Sequence, residues 1–364
     1  MSEWKEYKLG EIITLQRGYD LPRAKMKNGE IPVAGSNGII GYHDQYTTEG
    51  PGITIGRSGN IGVPKFYKGN FWAHNTVLYV KDFHGNDEKF VYYLLQTIDF
   101  TQFNTGSAVP SLNRNHVYEL NISIPLLSEQ KRIASILGSL DDKIDLLHRE
   151  NETLEAMAET FFRKWFIEDA KDELSETILG DVVETTSGGT PSRKNEKYYQ
   201  NGTIDWVKSK ELNGTFLLET EEKITEDAVA NSSAKFIPAN SVLIAMYGAT
   251  VGENAIIAKE MTCNQAICAL IPNENYPYTY LFLWAKLMKE EFINLACGAA
   301  QQNISQVLIK QQQVCSDIDA VKQFHSTTEP LFNKIKQNEI QLSSLKDIKN
   351  MILPKLMNNE SINE

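Results

Sequence analysis

Two stretches of this chain repeat their seam positions in steps of four and three over many turns, and a pattern of that length permits few structures. The first runs through Ile133, Leu137, Leu140, Ile144, Leu147, Asn151, Leu154, Ala158, Phe161 and Trp165. The second runs through Phe324, Thr328, Leu331, Ile335, Asn338, Leu342, Leu345, Lys349, Ile352 and Leu356. Heptad spacing of this kind marks the seam of a coiled coil rather than the broader stripe of an ordinary surface helix. Charged residues, among them Asp141, Asp145, Glu152 and Glu159, cover the other face of the first helix, so it needs one long partner along one edge.

Each seam carries one asparagine. If the helices pair antiparallel so that Ile133 faces Leu356 and Trp165 faces Phe324, Asn151 falls opposite Asn338. A buried asparagine pair costs stability but penalises slipped registers, in which each amide would meet an aliphatic side chain.

A chain of 364 residues is long for one domain, and self-similarity divides it. Leu9-Gly10-Glu11-Ile12 with Gly18 and Arg23 recurs as Leu179-Gly180-Asp181-Val182 with Gly188 and Arg193. Arg57-Ser58-Gly59-Asn60-Ile61-Gly62 recurs as Tyr247-Gly248-Ala249-Thr250-Val251-Gly252, and Thr105-Gly106-Ser107-Ala108 as Cys297-Gly298-Ala299-Ala300. A fixed order with slowly growing offsets means a duplicated unit with loop insertions. The resulting division is a first globular domain at 1–127, a long helix at 128–170, a second globular domain at 171–315, a second long helix at 316–358 and a tail at 359–364.

Within each copy, short apolar runs bounded by Gly, Pro and Asn predict strands at 52–55, 76–80, 120–124, 241–246 and 266–271. Residues 88–100 and 278–295 predict helices with an aromatic face. Ser128 and Ser316 are expected to cap the long helices. Gly138-Ser139 and Glu329-Pro330 are expected to kink them, and Pro354 to end the second. The fold class is therefore α+β: two duplicated domains separated by long helices that pair as an antiparallel coiled coil with approximate two-fold symmetry. A seam of 26–38 helical residues spans roughly 40–55 Å, comparable with the ~34–36 Å between DNA half-sites one turn apart.

The chemistry to be carried is recognition rather than catalysis. No Walker loop, dinucleotide fingerprint, base-methylation tetrad or nucleophile elbow is present, and the histidines are not spaced as ligands. The four cysteines, Cys263, Cys268, Cys297 and Cys315, show neither zinc nor disulfide spacing. No stretch approaches the ~20 apolar residues of a membrane span and no leader is visible, so a cytoplasmic protein is expected.

Net charge is −11, with 12 Lys+Arg against 12 Asp+Glu in residues 1–127 and 11 against 17 in residues 173–315. Any contact with nucleic acid must then use local patches, because the long-range field does not attract DNA. The recurring loops supply suitable side chains. In the first copy these are Arg17, Tyr19, Arg23, Ser36, Asn37, Arg57, Ser58, Asn60, His74, Asn75, Asn113 and Arg114. In the second they are Ser187, Thr190, Arg193, Lys194, Lys208, Lys210, Tyr247, Asn264, Gln265, Gln301 and Gln302. Arginine can fork onto guanine and Asn or Gln onto adenine, while Lys and Ser serve phosphates.

Pro125-Leu126-Leu127-Ser128-Glu129-Gln130-Lys131-Arg132-Ile133 resembles the start of the central conserved helix in specificity subunits of Type I restriction-modification systems. Phe161-Phe162-Arg163-Lys164-Trp165-Phe166 resembles that helix's end, and Ile352-Leu353-Pro354-Lys355-Leu356 the family's terminal motif. The two Gly-rich loops, 57–62 and 246–252, are similar to those of its target-recognition domains. The chain departs from the pattern at Ser316–Val321, where Pro and Glu-Gln are absent.

The resemblance implies a non-catalytic subunit whose two target-recognition domains each read half of a split, asymmetric double-stranded DNA site, with the helices setting the spacer. It implies docking of two methyltransferase subunits, which bind S-adenosylmethionine and methylate adenine N6, and of two restriction subunits that use ATP and Mg. No cofactor is implied in this chain. Two alternatives stand beside it: the equivalent subunit of a related methylation or phage-defence system, and a coiled-coil adaptor whose domains bind something other than DNA.

Overall fold

The computed structural model describes residues 4–103, 111–168, 176–296 and 303–358. The chain divides into two compact units, one of residues up to Ile144 together with those from Leu345, the other Asp145–Ser344. Each unit contains one globular domain and a segment of both long helices.

The domain of the first unit holds a four-stranded antiparallel sheet in the order Thr14–Arg17, Val77–Asp82, Gly52–Gly56, Pro64–Tyr67. A second sheet sets Ile31–Gly35 between Gly38–His43, antiparallel, and Trp72–Ala73, parallel. A third pairs Lys5–Lys8 with Asn121–Ile124. The central strand Gly52–Gly56 is buried along its whole length, which explains why it reads as a continuous apolar run rather than an alternating one.

The domain of the second unit repeats this plan. Glu184–Ser187, Ile267–Ile271, Val242–Ala245 and Asn254–Ile257 form the corresponding antiparallel sheet, extended by Phe216–Leu217 in parallel. Ile204–Val207 lies between Lys223–Ile224 and, in parallel, Thr262–Cys263. Glu176–Ile178 pairs with Gln313–Cys315. The duplication expected from sequence is therefore present, with Phe216–Leu217 as one added strand in the second copy. The recurrence at 105–108 and 297–300 lies outside the described residues.

Glycines mark where the copies coincide. A Cβ on Gly18 would stand 2.1 Å from the carbonyl oxygen of His74, and one on Gly188 1.8 Å from that of Cys263, so both chains cross a backbone too closely for any side chain. Gly62 and Gly252 share a left-handed φ of +84° and +80° at the end of the recognition loop.

The shorter helices depart from expectation in extent. The helix expected over 88–100 stops at Gln96 and gives way to a 3₁₀ turn at Phe100–Phe103. The one expected over 278–295 is two helices, Tyr278–Leu287 and Lys289–Ala296, with the chain turning at Met288.

The first long helix, Leu127–Arg163, and the second, Ile318–Met357, are each continuous. Gly138-Ser139 and Glu329-Pro330, the expected kink positions, do not interrupt either helix. Pro330 sits on an exposed face, where the missing N–H costs one hydrogen bond without burying an orphan carbonyl. Pro354 does not end the second helix, since Asn358 N still donates to its carbonyl.

The caps also differ. Leu126 rather than Ser128 begins the first helix, its carbonyl accepting from Glu129 N and Gln130 N. The start is fastened by Gln130, 2% exposed, whose amide nitrogen donates to Pro125 O and Asn86 Oδ1 while its oxygen accepts from Asp87 N. Asp317 rather than Ser316 caps the second helix, accepting from Ala320 N at 3.0 Å. The first helix continues past Arg163 into a wider π turn, Lys164–Glu168.

In the first unit the helices close the domain core. Ile133, Ala134 and Leu137 share it with Ile352, Leu356 and Met357, and with Phe90 and Leu94 of the helix Glu88–Gln96. Lys349, a seam position, reaches Asp141 at 2.6 Å. Asp141 also accepts from the Tyr93 hydroxyl at 2.7 Å, and burial, with that contact beside it, holds the phenol far above its ordinary pKa. Asp141→Ala leaves an ammonium and a phenol without their acceptor, so chemical denaturation should register a loss of about 2–3 kcal/mol.

In the second unit Asn338 Nδ2 donates to Asn151 Oδ1 at 2.8 Å and to Glu150 Oε2 at 2.9 Å, and Asn151 Nδ2 donates to Glu339 Oε1 at 2.8 Å. The asparagines face each other, as the antiparallel register requires, and each also reaches the glutamate beside the other. Toward the end of the first helix, Phe162, Trp165 and Phe166 surround Phe324 with ring centroids 5.4–5.8 Å away. Phe162 and Phe332, off the heptad seam, are buried as well. The stripe is broader here than a strict seam because each helix packs on its domain as well as on the other helix.

Candidate nucleic-acid interface

Strand pairing gathers part of the first-copy set. Arg17 ends the strand Thr14–Arg17, Arg57 follows Gly52–Gly56, and Arg114 opens the short helix Arg114–Tyr118. The three arginines line one cleft of about 410 Å³ together with Leu78, Ser111, Leu112 and Asn113. The backbone of Arg57 is pinned on both sides: its N–H donates to Thr76 O at 2.8 Å and its carbonyl accepts from Leu112 N at 2.9 Å. Arg114 Nη1 donates to Leu15 O at 3.1 Å. Burial and the neighbouring Arg17 charge lower the pKa of Arg57. Among the described residues, no carboxylate stands within ion-pair distance of these three arginines.

The rest of the first-copy set is dispersed or occupied. Tyr19 is exposed, with its hydroxyl bonded to Gln16 and lying near Tyr79. Asn37 tips the hairpin between Gly35 and Gly38, Asn60 is exposed in the Gly loop, and Arg23 lies on a separate short turn. Ser36 N donates to Thr76 Oγ1. His74 bonds Thr76 Oγ1 at 3.0 Å, and burial lowers its pKa, favouring the neutral ring. Asn75 donates to Asp20 at 2.7 Å, and Asn113 caps its helix by accepting from Asn115 N. Ser58 bridges Ser111 through the backbone.

The second copy corrects the alignment of the recognition loop. The bridge of Ser58 with Ser111 is repeated by Tyr247 with Asn303, and the bond from Leu112 N to Arg57 O by one from Ile304 N to Met246 O. Tyr247 thus occupies the place of Ser58, and Met246 that of Arg57; the copies differ by one residue inside the loop, which shifts the sequence alignment. Strand register likewise places Ser187 where Arg17 stands, since each faces its partner, Cys268 or Leu78, across the same pair of strands. Ser305 caps its helix as Asn113 does, so Gln306 takes the place of Arg114.

Where the first domain has three arginines, the second has Ser187, Met246 and Gln306. Gln306 accepts from the Ser187 hydroxyl at 3.1 Å and donates to Thr185 at 2.7 Å. Sequence reading missed Gln306, which looks like an ordinary helix residue until Arg114 is seen at the same place.

The cations of the second copy are mostly spoken for. Arg193 is forked onto Glu222 and lies over the Tyr199 ring at 4.2 Å and the Trp206 ring at 5.1 Å. Lys208 reaches Glu221 and Glu222 at 3.5 and 3.4 Å, and Lys210 reaches Glu221 at 2.6 Å. Thr190 bonds Gln265, and Asn264 accepts from Ala266 N to shape its own turn. Tyr247 and Lys194 are exposed, whereas Gln301 and Gln302 lie outside the described residues.

Among the described residues, no group of His, Cys, Asp and Glu is placed to hold a metal, and no helix is long and apolar enough to cross a membrane. Burial pushes the thiols of Cys263 and Cys268 up to about 12, away from nucleophilic reactivity.

The model of the Type I restriction modification DNA specificity domain matches this chain twice, over residues 1–156 and 172–315. The chain belongs to that family.

Its relatives include the specificity subunit of the Type I restriction enzyme MjaIX from Methanocaldococcus jannaschii, 27% identical over 74% of this chain and 68% of the relative. The HindI specificity subunit of Haemophilus influenzae is 23% identical over 99% of this chain and 100% of its own length. The EcoR124I/EcoR124II specificity subunit of Escherichia coli is 30% identical over 53% and 50%. In fold, the chain is similar to the crystal structure of a Type I restriction-modification system S subunit from M. genitalium, with a TM-score of 0.66, 18% identity and coverage of 98% and 96%.

Proposed function

We propose that this chain is the DNA specificity subunit of a Type I restriction-modification complex, itself without catalysis, and that each of its domains reads one half of a bipartite site. The observation that carries the reading is the double match of the specificity-domain family onto two copies of one fold. Exposed polar groups on the recurring loops, such as Asn37, Asn60 and Tyr247, suit contact with base edges. On this reading the long helices dock methyltransferase subunits and their length fixes the number of unread base pairs.

The test is methylome sequencing in a methylation-deficient host carrying this chain with its cognate methyltransferase subunit. A split motif with N6-methyladenine on both strands is expected, present only when both subunits are expressed; a stable complex that leaves no motif would overturn the reading. Inserting one heptad into each long helix adds about 10 Å of seam and should lengthen the spacer by about three base pairs. An unchanged spacer would refute the role assigned to the helices.

A further inference from the structure

One place in the fold carries opposite chemistry in the two domains. Arg17, Arg57 and Arg114 line a cleft in the first, and the neutral residues Ser187, Met246 and Gln306, the second of them buried, hold the equivalent backbone positions in the second. Arg57 is half-buried and its charge is disfavoured both by burial and by Arg17. In the free protein the Arg17 and Arg57 charges repel each other, and among the described residues no carboxylate pairs with the three arginines. In the second domain Arg193, Lys208 and Lys210 instead face Glu221 and Glu222.

A neutral guanine edge would be satisfied by one guanidinium, which spans both O6 and N7. Three of them around one concavity match a group with a full negative charge and several acceptor oxygens. We propose that the cleft of Arg17, Arg57 and Arg114 seats a backbone phosphodiester of duplex DNA, so that the first domain supplies salt-dependent affinity which the equivalent place in the second does not. This inference rests on the DNA-specificity reading, and it separates anchoring from sequence reading within that role.

The experiment measures the affinity of the complex with its methyltransferase for two duplexes, one bearing the methylated motif and one of unrelated sequence, across a salt series. Each phosphate contact contributes about 0.9 to the slope of log affinity against log salt. The variant Arg17→Gln/Arg57→Gln should flatten that slope by about one unit and weaken both duplexes in proportion. Arg17→Lys/Arg57→Lys, which keeps the charge, should restore the slope.

An unchanged slope would overturn the proposal. So would a loss confined to the motif-bearing duplex, which would make these arginines base readers. If the wild-type complex bound both duplexes alike, the specificity reading would fail, while the salt slope would still judge the cleft by itself.

Discussion

Phe324→Ala is expected to lower the unfolding free energy by about 3–5 kcal/mol. Phe324 is fully buried, and the rings of Phe162, Trp165 and Phe166 pack around it. Truncation removes the ring's own burial and leaves a cavity walled by three large side chains, none of which can collapse into it without leaving its helix. Urea titration of the wild type and the variant checks this. Ile340→Ala, at a position 50% exposed on the same helix and in the same unit, should shift the midpoint little, within about 0.5 kcal/mol. Equal shifts for both variants would mean that the aromatic cluster is not where the second unit draws its stability.

Asn338→Leu is expected to cost about 2–3 kcal/mol, out of proportion to the small change in volume. It removes the donor that serves Asn151 Oδ1 and Glu150 Oε2 and leaves the first of these facing a hydrocarbon. The double variant Asn151→Leu/Asn338→Leu should recover most of that loss, because two leucines across a seam need no hydrogen bonds. A double-mutant cycle then gives a coupling of at least about 2 kcal/mol between the two positions. The recovered stability should come with poorer register discipline, visible as broadened or doubled amide resonances along the seam. A double variant no more stable than the single one would show that the asparagines act independently.

The seam was legible because burial along a helix repeats in sequence. Pairing Ile133 with Leu356 and Trp165 with Phe324 followed from counting, and the contact of Asn151 with Asn338 needed nothing more. Strands such as Gly52–Gly56 and Ile267–Ile271 were legible from apolar runs between glycines and asparagines. Helix ends were not. Capping depends on which backbone N–H is left over, and Leu126 and Asp317, within two residues of Ser128 and Ser316, accept from those groups instead.

Residue types in the candidate interface were legible one at a time, but their grouping was not. Arg17, Arg57 and Arg114 converge only through strand pairing. Arg193, by contrast, is claimed by a glutamate from a distant loop, which no local pattern announces. The recognition loops were aligned one residue out of step because an insertion within a Gly-rich turn leaves the glycines in place while shifting everything before them.

The backbone bond that holds Arg57 in the first domain holds Met246 in the second, with the donor supplied by Leu112 in one and Ile304 in the other. Main chain and side chain therefore have separate duties there: the frame is fixed by groups every residue possesses, and the side chain is left to vary. Chemistry as different as a guanidinium and a thioether is carried on one frame, so two copies of one fold diverge in what they grip without redrawing the main chain beneath.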